Sequence, residues 1–294
     1  MFVRQNGRHL GCILLVLLAA GLLGGAAAQN TPAAKSTYQW LDADKNPLPF
    51  QSDEEILEFL RTADVAEMKD IPTGVTHPIK LTLQKGGVRA HAAFRFLDEE
   101  KRRADFGQGS AELFFRDSFK FEPAAYELSR MIGMHSVPPA VLRKINGRDG
   151  SVQIWVEKAQ TEEGRIKNGL ADPDENHWGR QVHMMRVFDA LVLNTDRTQA
   201  NILITPDWRI WMIDHTRAFR IPTDLPNEKS LTSCDKDVYA RLKALNEADL
   251  KLRLKPFLRG NEINSILKRR DALVKHFDKL IAERGQSAVL FTSE

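Results

Sequence analysis

The sequence contains little cysteine, and this shortage limits both its cross-links and its metal sites. Cys12 and Cys234 are the only cysteines among 294 residues. We expect Cys12 to be removed with an apolar N-terminal segment, so that Cys234 remains alone in the mature chain. One cysteine excludes an internal disulfide bond and a zinc site built from cysteines. Cys234 is therefore expected to be a small core residue.

The chain also lacks a large excess of either charge. No second long apolar run follows the N-terminal one. It has 42 Lys and Arg residues against 39 Asp and Glu residues, and loss of Arg4 and Arg8 with the N-terminal segment leaves 40 against 39. A nearly neutral chain gives no electrostatic reason to expect nucleic-acid binding. Because no later apolar run is long enough to cross a bilayer, we expect no membrane span in the mature chain.

The first 28 residues have the pattern of a secretory signal peptide. Two arginines precede an apolar run from Leu10 to Leu23, and Ala26-Ala27-Ala28 forms a small-residue cleavage site. We therefore expect an exported protein, periplasmic or secreted, whose mature chain begins near Gln29. An uncleaved N-terminal anchor is the alternative, because the apolar run is close to the lower length limit for a membrane span.

Residues 29–64 predict an extended arm followed by a short helix. Pro32, Pro47 and Pro49 favour an extended chain. The sequence Ser52-Asp53-Glu54-Glu55 forms a capping box ahead of an amphipathic run, which predicts a helix that packs on the following domain.

The stretch from Val187 to Phe219 predicts a helix, a polar loop and a hairpin. Apolar residues at helical spacing predict a helix up to about Leu193, and the run N-T-D-R-T-Q-A-N after it is too polar to be buried without partners. Two short strand-like runs around Pro206 predict a hairpin with Asn201 at its entry and Asp214 at its exit. An amide oxygen and a carboxylate form half of a Mg²⁺ site, which phosphates and water usually complete.

The sequence D-R-T-Q-A-N, followed by a hairpin and I-D, resembles the catalytic loop and metal aspartate of the protein-kinase superfamily. The version is that of phosphoinositide 3- and 4-kinases, HipA-type kinases and secretory-pathway kinases of the Golgi casein kinase and four-jointed type. The resemblance implies that Asp196 is the catalytic base and that Asn201 and Asp214 are the metal ligands. His215 and Thr216 stand where the usual Phe-Gly would follow the metal aspartate.

Strand-like alternation in the N-terminal half adds further matches to this family. Runs on either side of Gly86-Gly87 predict a hairpin, and Gly74, upstream of it, stands where a kinase has its phosphate-covering loop. The sequence A-A-F-R resembles the kinase V-A-I-K strand, which implies that Ala93 covers the adenine and Arg95 is the phosphate-binding cation. Lys80, on the neighbouring strand, is a candidate for the missing lysine ammonium.

A helix with a glutamate should follow these strands. The run E-x-A-A-Y-x-L-x-x-x-x-G-x-x-x-V-P-P resembles the corresponding helix of secretory-pathway kinases, which implies that Glu122 pairs with Arg95. Glu127 is the alternative by chemistry alone. A further hairpin turns at Asn146-Gly147 and leads to a connector in which Trp155 and Val156 would face the adenine.

The resemblance implies an α+β, two-lobed protein-kinase-like fold with a β-rich N-lobe at 65–158 and a larger helical C-lobe at 159–294. The C-lobe begins with a polar, loop-like segment from Thr161 to Trp178, and three helical segments follow residue 234. The function implied is transfer of the γ-phosphoryl group of ATP, or of another nucleotide with Mg²⁺ or Mn²⁺, to a hydroxyl of a protein or sugar acceptor.

Two other functions remain open at this point. A pseudokinase, acting as a nucleotide-binding or protein-binding regulatory module, is favoured by Arg95 in the lysine position and by the absent Phe-Gly. A metal-dependent hydrolase using Asp196, Asp214 and His215 is the third hypothesis.

Overall fold

A computed structural model gives the arrangement of these segments. Apart from Met1, it describes residues 38–71, 78–105 and 111–293, so the expected signal peptide and Gly74 lie outside the described residues. The residues described from 38 onward belong to one compact unit, Ala33–Glu294. Within these ranges, no helix combines the length and the apolarity needed to cross a membrane.

The N-terminal part is built mainly of strands. In chain order its elements are α1 (Asp53–Thr62), β1 (Asp64–Asp70), β2 (Ile79–Lys85), β3 (Val88–Arg95), β4 (Asp98–Asp105), β5 (Ala111–Ser118), α2 (Phe121–Met131), β6 (Ala140–Ile145) and β7 (Arg148–Ile154). Five of the strands form an antiparallel sheet in the order β1-β2-β3-β7-β6, and β4 pairs with β5 in a separate hairpin. Ser52 caps α1 through the predicted capping box.

The two faces of the five-stranded sheet differ in polarity. Leu81, Ala92 and Ile154 lie opposite one another on β2, β3 and β7, and all three are buried in the main hydrophobic core. The cross-strand row of Lys80, Ala93 and Gln153 lies on the other face, because side chains alternate along a strand. The apolar face therefore builds the core, and on the polar face Gln153 donates a hydrogen bond to Glu122 of α2.

The C-terminal part is mainly helical. Its elements are β8 (Gln160–Thr161), α3 (Glu162–Lys167), α4 (Glu175–Val192), β9 (Ile202–Ile204), β10 (Ile210–Met212), β11 (Cys234–Asp235), α5 (Lys236–Ala244), α6 (Glu247–Leu254), α7 (Gly260–Arg284), α8 (Gln286–Val289) and β12 (Leu290–Phe291). The predicted hairpin is β9–β10, which β8 extends to three strands. The segment 161–178 was expected to be loop-like, and this prediction was wrong because α3 and the first turn of α4 lie within it.

The N-terminal arm packs onto this hairpin. Trp40 is 3% exposed, and its ring centroid lies 4.8 Å from that of Trp211 in β10. Tyr38 contacts both rings edge-on, with centroids 5.0 and 4.9 Å away. The arm therefore covers the outside of the strand that leads to Asp214.

Arg269 of α7 fixes the chain that follows the hairpin. Its side chain is fully buried and donates hydrogen bonds to the carbonyl oxygens of Leu191 in α4 (2.8 Å), Arg220 (2.8 Å) and Pro222 (2.6 Å). Burial lowers the pKa of Arg269 to about 10. Because buried carbonyl groups need hydrogen-bond donors, this arginine holds the segment after Asp214 against the end of α4.

Candidate nucleotide and metal site

Arg197 joins the polar loop to the hairpin that follows it. Its Nη1 donates hydrogen bonds to the carbonyl oxygens of Asn201 (3.0 Å) and Ile213 (2.6 Å). On its other side, Nε and Nη2 donate to the Asp189 carboxylate of α4 at 3.1 and 3.0 Å. The Ile213 N–H also donates to the Asn201 carbonyl at 3.1 Å. These bonds bring Asn201 and Asp214, the next residue after Ile213, together at the mouth of the hairpin.

The donor atoms at this mouth suit a magnesium-type cation. The amide nitrogen of Asn201 donates to the Asp196 carbonyl at 3.3 Å, which leaves its oxygen for a cation. Asp214 has a positive φ of 58°, a conformation that is rare outside glycine and recurs at functional sites. In the described ranges, no three His, Cys, Asp or Glu side chains converge as metal ligands. One carboxylate and one amide fit Mg²⁺ held together with phosphate oxygens and water.

Asp196 lies on the polar loop with its carboxylate 46% exposed. Its backbone N–H donates to Oδ1 of Asn194 at 3.1 Å, and Asn194 is buried just after α4. Oδ2 of Asp196 lies 3.3 Å from Nη1 of Arg217. The loop backbone is therefore anchored, while the carboxylate remains accessible to an acceptor group.

Arg95 connects α2 to the hairpin. Its Nε lies 3.5 Å from Oε1 of Glu122 and 3.8 Å from Oδ1 of Asp214, and its side chain is 7% exposed. In the part of the chain that the structure describes, this Nε donates no hydrogen bond. The alternative glutamate, Glu127, pairs instead with Arg253 of α6. Glu122 is thus the helix carboxylate that approaches Arg95.

The carboxylate of Glu122 is fully buried and stays ionised. Its Oε1 accepts the His215 backbone N–H at 2.9 Å, and Oε2 accepts from Nε2 of Gln153 at 3.3 Å. Burial by itself would raise the pKa of Glu122, but the charge of Arg95 and the hydrogen bonds from His215 outweigh it and lower the pKa to about 2. Glu122 therefore serves as a fixed negative charge between the sheet and the hairpin.

His215, the residue after Asp214, connects two parts of the site. The residue is fully buried. Its Nε2 lies 2.9 Å from Nη2 of Arg197 and its Nδ1 lies 3.5 Å from Oε2 of Glu122. Because a guanidinium only donates, Nε2 is the acceptor and Nδ1 carries the proton toward Glu122. Both ring nitrogens are engaged, so His215 has no atom left to bind a metal.

Replacing His215 with phenylalanine should destabilise the fold. The ring of phenylalanine keeps the edge-on contact with Phe188, whose centroid lies 5.8 Å away, but it neither accepts from Arg197 nor donates to Glu122. Buried polar groups left without partners cost about 1 to 3 kcal/mol each, so the free energy of unfolding in urea should fall by about that amount. The His177→Phe control, at a side chain that is 46% exposed and pairs with Asp172, should lower it by less than about 1 kcal/mol. Equal stability of the two variants would mean that the contacts of the His215 ring with Arg197 and Glu122 do not stabilise the fold.

The expected adenine-binding residues lie on and beside the polar face of the sheet. Ala93 is 9% exposed, and Val156 is 4% exposed. The Trp155 backbone N–H donates to the His91 carbonyl at 3.0 Å, so this amide is already used. Nζ of Lys80 lies 4.5 Å above the centroid of the Trp155 ring. Lys80 therefore contacts the connector in this structure, although it shares the polar face of the sheet with Arg95.

Two residues of the site were missed in the sequence. Arg217 donates from Nε to Oδ2 of Asp117 at 2.8 Å and from Nη1 to Asp196 at 3.3 Å. Burial lowers the pKa of Arg217, but the hydrogen bond and charge of Asp117, with the charges of Asp196 and Asp214, raise it overall. Asp117 is 100 residues away in the sequence, on a hairpin that the sequence pattern did not reveal, so no local signal linked the two.

The charges of the site do not balance. Two guanidinium groups, on Arg95 and Arg217, face four carboxylates in contacts of 2.8 to 3.8 Å. The four carboxylates belong to Asp117, Glu122, Asp196 and Asp214. The formal excess of two negative charges matches one divalent cation, which agrees with the donor atoms of Asn201 and Asp214.

Comparison with known proteins shows which solved structures have a similar fold. No protein-family model and no curated protein sequence matches the chain. Its structure is similar to a hydra Fam20 protein solved with sugar, at 14% identity and a TM-score of 0.62, covering 82% of this chain and 92% of that one. It is also similar to the Golgi casein kinase with Mn/ADP bound, at 15% identity and a TM-score of 0.59, covering 82% and 80%.

A bacterial protein shares the same architecture. The Helicobacter pylori proinflammatory kinase CtkA is similar at 11% identity with a TM-score of 0.50, covering 78% of this chain and 97% of that one. At such identities the likeness establishes the fold alone. The fold expectation is confirmed: the chain has an atypical protein-kinase-like, α+β fold with a strand-rich N-terminal part and a helical C-terminal part.

Proposed function

We propose that this protein is an exported atypical kinase that transfers the γ-phosphoryl group of a nucleotide to a hydroxyl of a protein or sugar acceptor. The observation that carries the proposal is the assembly made by Arg197, which ties the loop of Asp196 to the hairpin of Asn201 and Asp214 through bonds of 2.6 to 3.1 Å. A kinase needs a base, an amide and a carboxylate in this relation.

Each residue then has a role in the transfer. Asp196 orients the acceptor hydroxyl and takes its proton as the acceptor oxygen attacks the γ-phosphorus. Asn201 and Asp214 would hold Mg²⁺ or Mn²⁺, which supplies charge neutralisation on the phosphates. Arg95, fixed by Glu122, binds phosphate oxygens from the side of the sheet. Ala93, Trp155 and Val156 would enclose the nucleobase.

The comparisons support nucleotide use without naming the acceptor. One similar structure is described with Mn/ADP bound and another with sugar, and these ligands belong to those proteins. ATP with Mg²⁺ or Mn²⁺ is proposed for this chain on the donor set of Asn201 and Asp214. Export is proposed on the N-terminal pattern alone. The proposed lobes of the mature chain are residues 65–158 and 159–294.

The proposal is tested by the thermal stability of the mature chain with nucleotide and metal. A ligand at 100 times its dissociation constant stabilises a protein by about 2.7 kcal/mol, which should raise the melting temperature by roughly 5 to 10 °C. The rise with ATP should require Mg²⁺ or Mn²⁺ and should disappear in Asp214→Ala. No shift with ATP, GTP or ADP in either metal would contradict the nucleotide site.

A pseudokinase is the second candidate, favoured by one observation. The side chain that replaces the kinase lysine, Arg95, is 7% exposed and already lies between Glu122 and Asp214. If nucleotide binds but no radiolabelled phosphate reaches any protein or sugar, including the chain itself, the site is one for binding alone. The hydrolase hypothesis has no such support, because both ring nitrogens of His215 are engaged.

A further inference from the structure

Arg217 spans the site between a buried and an accessible carboxylate. Its Nε donates to Oδ2 of Asp117 at 2.8 Å, and its Nη1 donates to Oδ2 of Asp196 at 3.3 Å. The side chain of Asp117 is 2% exposed, that of Arg217 31% and that of Asp196 46%. The guanidinium is therefore held at its inner end and accessible at its outer end.

Asp117 holds the guanidinium in one orientation. A buried carboxylate is costly unless it is paired, and the other oxygen of Asp117 accepts no hydrogen bond from the residues that the structure describes. The backbone supports the same geometry, because the Ser118 N–H donates to the Thr216 carbonyl at 2.8 Å. This bond joins the end of β5 to the segment after Asp214. It therefore brings their neighbours in the chain, Asp117 and Arg217, next to each other.

The contact with Asp196 is the replaceable one. An ion pair between partly exposed side chains contributes little free energy, and a phosphate accepts two hydrogen bonds from the fork of one guanidinium. Arg217 follows the proposed metal ligand Asp214 by three residues, and its Nη1 lies 3.3 Å from Oδ2 of the proposed base Asp196. The outer end of its guanidinium is therefore beside the place where the transferred phosphoryl group must pass.

We infer that Arg217 binds the γ-phosphoryl group of the nucleotide, and that Asp117 orients it for this contact. The inference rests on the proposed function. When the nucleotide enters, the γ-phosphate oxygens replace Asp196 at Nη1, and Asp196 becomes available to the acceptor hydroxyl. The bond from the γ-phosphorus to the bridging oxygen then breaks as the bond to the acceptor oxygen forms. The hydroxyl proton goes to Asp196, and Arg217 keeps its own proton throughout.

The test compares two nucleotides that differ in the γ-phosphate. Dissociation constants are measured by calorimetry for Mg²⁺–ADP and for the Mg²⁺ complex of the non-hydrolysable imido analogue of ATP. A hydrogen bond to a charged group contributes more binding free energy than a hydrogen bond between neutral groups. Arg217→Ala should therefore raise the dissociation constant of the analogue by about 10- to 100-fold. The same variant should bind ADP within about twofold of wild type, since ADP lacks the group that Arg217 contacts.

Three further variants separate phosphate binding from a structural role. Arg217→Lys keeps one charge and should recover part of the lost affinity, whereas Asp117→Asn loosens the guanidinium and should give an intermediate loss for the analogue alone. Arg253→Ala, which removes an exposed arginine paired with Glu127, should bind both nucleotides as wild type does.

The outcomes distinguish failure of the inference from failure of the proposed function. If wild type binds neither nucleotide, the proposed function is wrong and the inference falls with it. If wild type binds both, and Arg217→Ala either binds both equally well or weakens both by the same factor, the nucleotide site stands and the γ-phosphate role of Arg217 is wrong. Circular dichroism of each variant checks that the fold is kept.

Discussion

Asp196→Asn should slow phosphoryl transfer by about 10²- to 10⁴-fold, the range that a positioned general base contributes. Asparagine keeps the shape of the side chain but cannot take the proton of the acceptor hydroxyl. Nucleotide affinity should change by less than about twofold, because the Asp196 carboxylate is 46% exposed and its pair with Arg217 is weak. Transfer is measured in single turnovers with radiolabelled nucleotide, and affinity by calorimetry.

Asp278→Asn is the matched control for this variant. The Asp278 carboxylate is 53% exposed, close to the exposure of Asp196, and it lies on α7 next to Tyr239. Its replacement should leave transfer unchanged. A rate for Asp196→Asn within tenfold of wild type would remove this residue from the proton transfer and would favour a mechanism in which substrate positioning alone is sufficient.

A buried chain of polar contacts holds the elements of the candidate site together. Arg95, Glu122, His215, Arg197 and Asp189 follow one another in contacts of 2.9 to 3.5 Å. They connect the sheet, α2, the hairpin, the loop and α4. A histidine whose two ring nitrogens both have partners has little freedom to move away from them. The geometry therefore favours a site that is assembled before substrate binds.

The sequence allowed prediction of those elements whose signals are local. Hydrophobic spacing predicted α4 to about Leu193, and the structure ends it at Val192. Turn residues predicted the hairpins at Gly86-Gly87 and Asn146-Gly147, and the capping box predicted the start of α1 after Ser52. Each of these signals lies within a few residues of the structure it specifies, so one sequence is sufficient to read them.

Other elements were missed for physical reasons. The strand β4 reads D-E-E-K-R-R-A-D and has no apolar alternation, because among the described residues it pairs with β5 alone, outside the main sheet. The helix α3 has no buried residue and so carries no hydrophobic period. The contact of Arg217 with Asp117 depends on where β5 ends relative to the segment after Asp214. Tertiary structure sets this arrangement, so no local sequence signal marks it.

Glu122→Gln should remove about 3 kcal/mol of stability at pH 7 and almost none near pH 2. The folded pKa of Glu122 is about 2 against an ordinary value of 4.5, and a tenfold change in a proton-binding constant corresponds to about 1.4 kcal/mol. A carboxyl whose pKa is depressed on folding stabilises the protein above its unfolded pKa, and this contribution is lost as the pH falls through the folded value. The difference between wild type and variant should therefore shrink from pH 4.5 downward, as measured by urea unfolding at several pH values.

Glu127→Gln on the same helix is the control, because its partner Arg253 is 51% exposed and surface pairs contribute less than about 1 kcal/mol. The glutamine of Glu122→Gln still accepts the His215 N–H, so what it removes is the charge that fixes Arg95. The variant should also bind nucleotide more weakly. Without the charge of Glu122, the Arg95 side chain is more mobile and loses more conformational entropy when it binds phosphate. A stability difference that stays constant from pH 7 to pH 3 would mean that folding does not lower the pKa of Glu122, and Arg95 would have to be oriented by Asp214 alone.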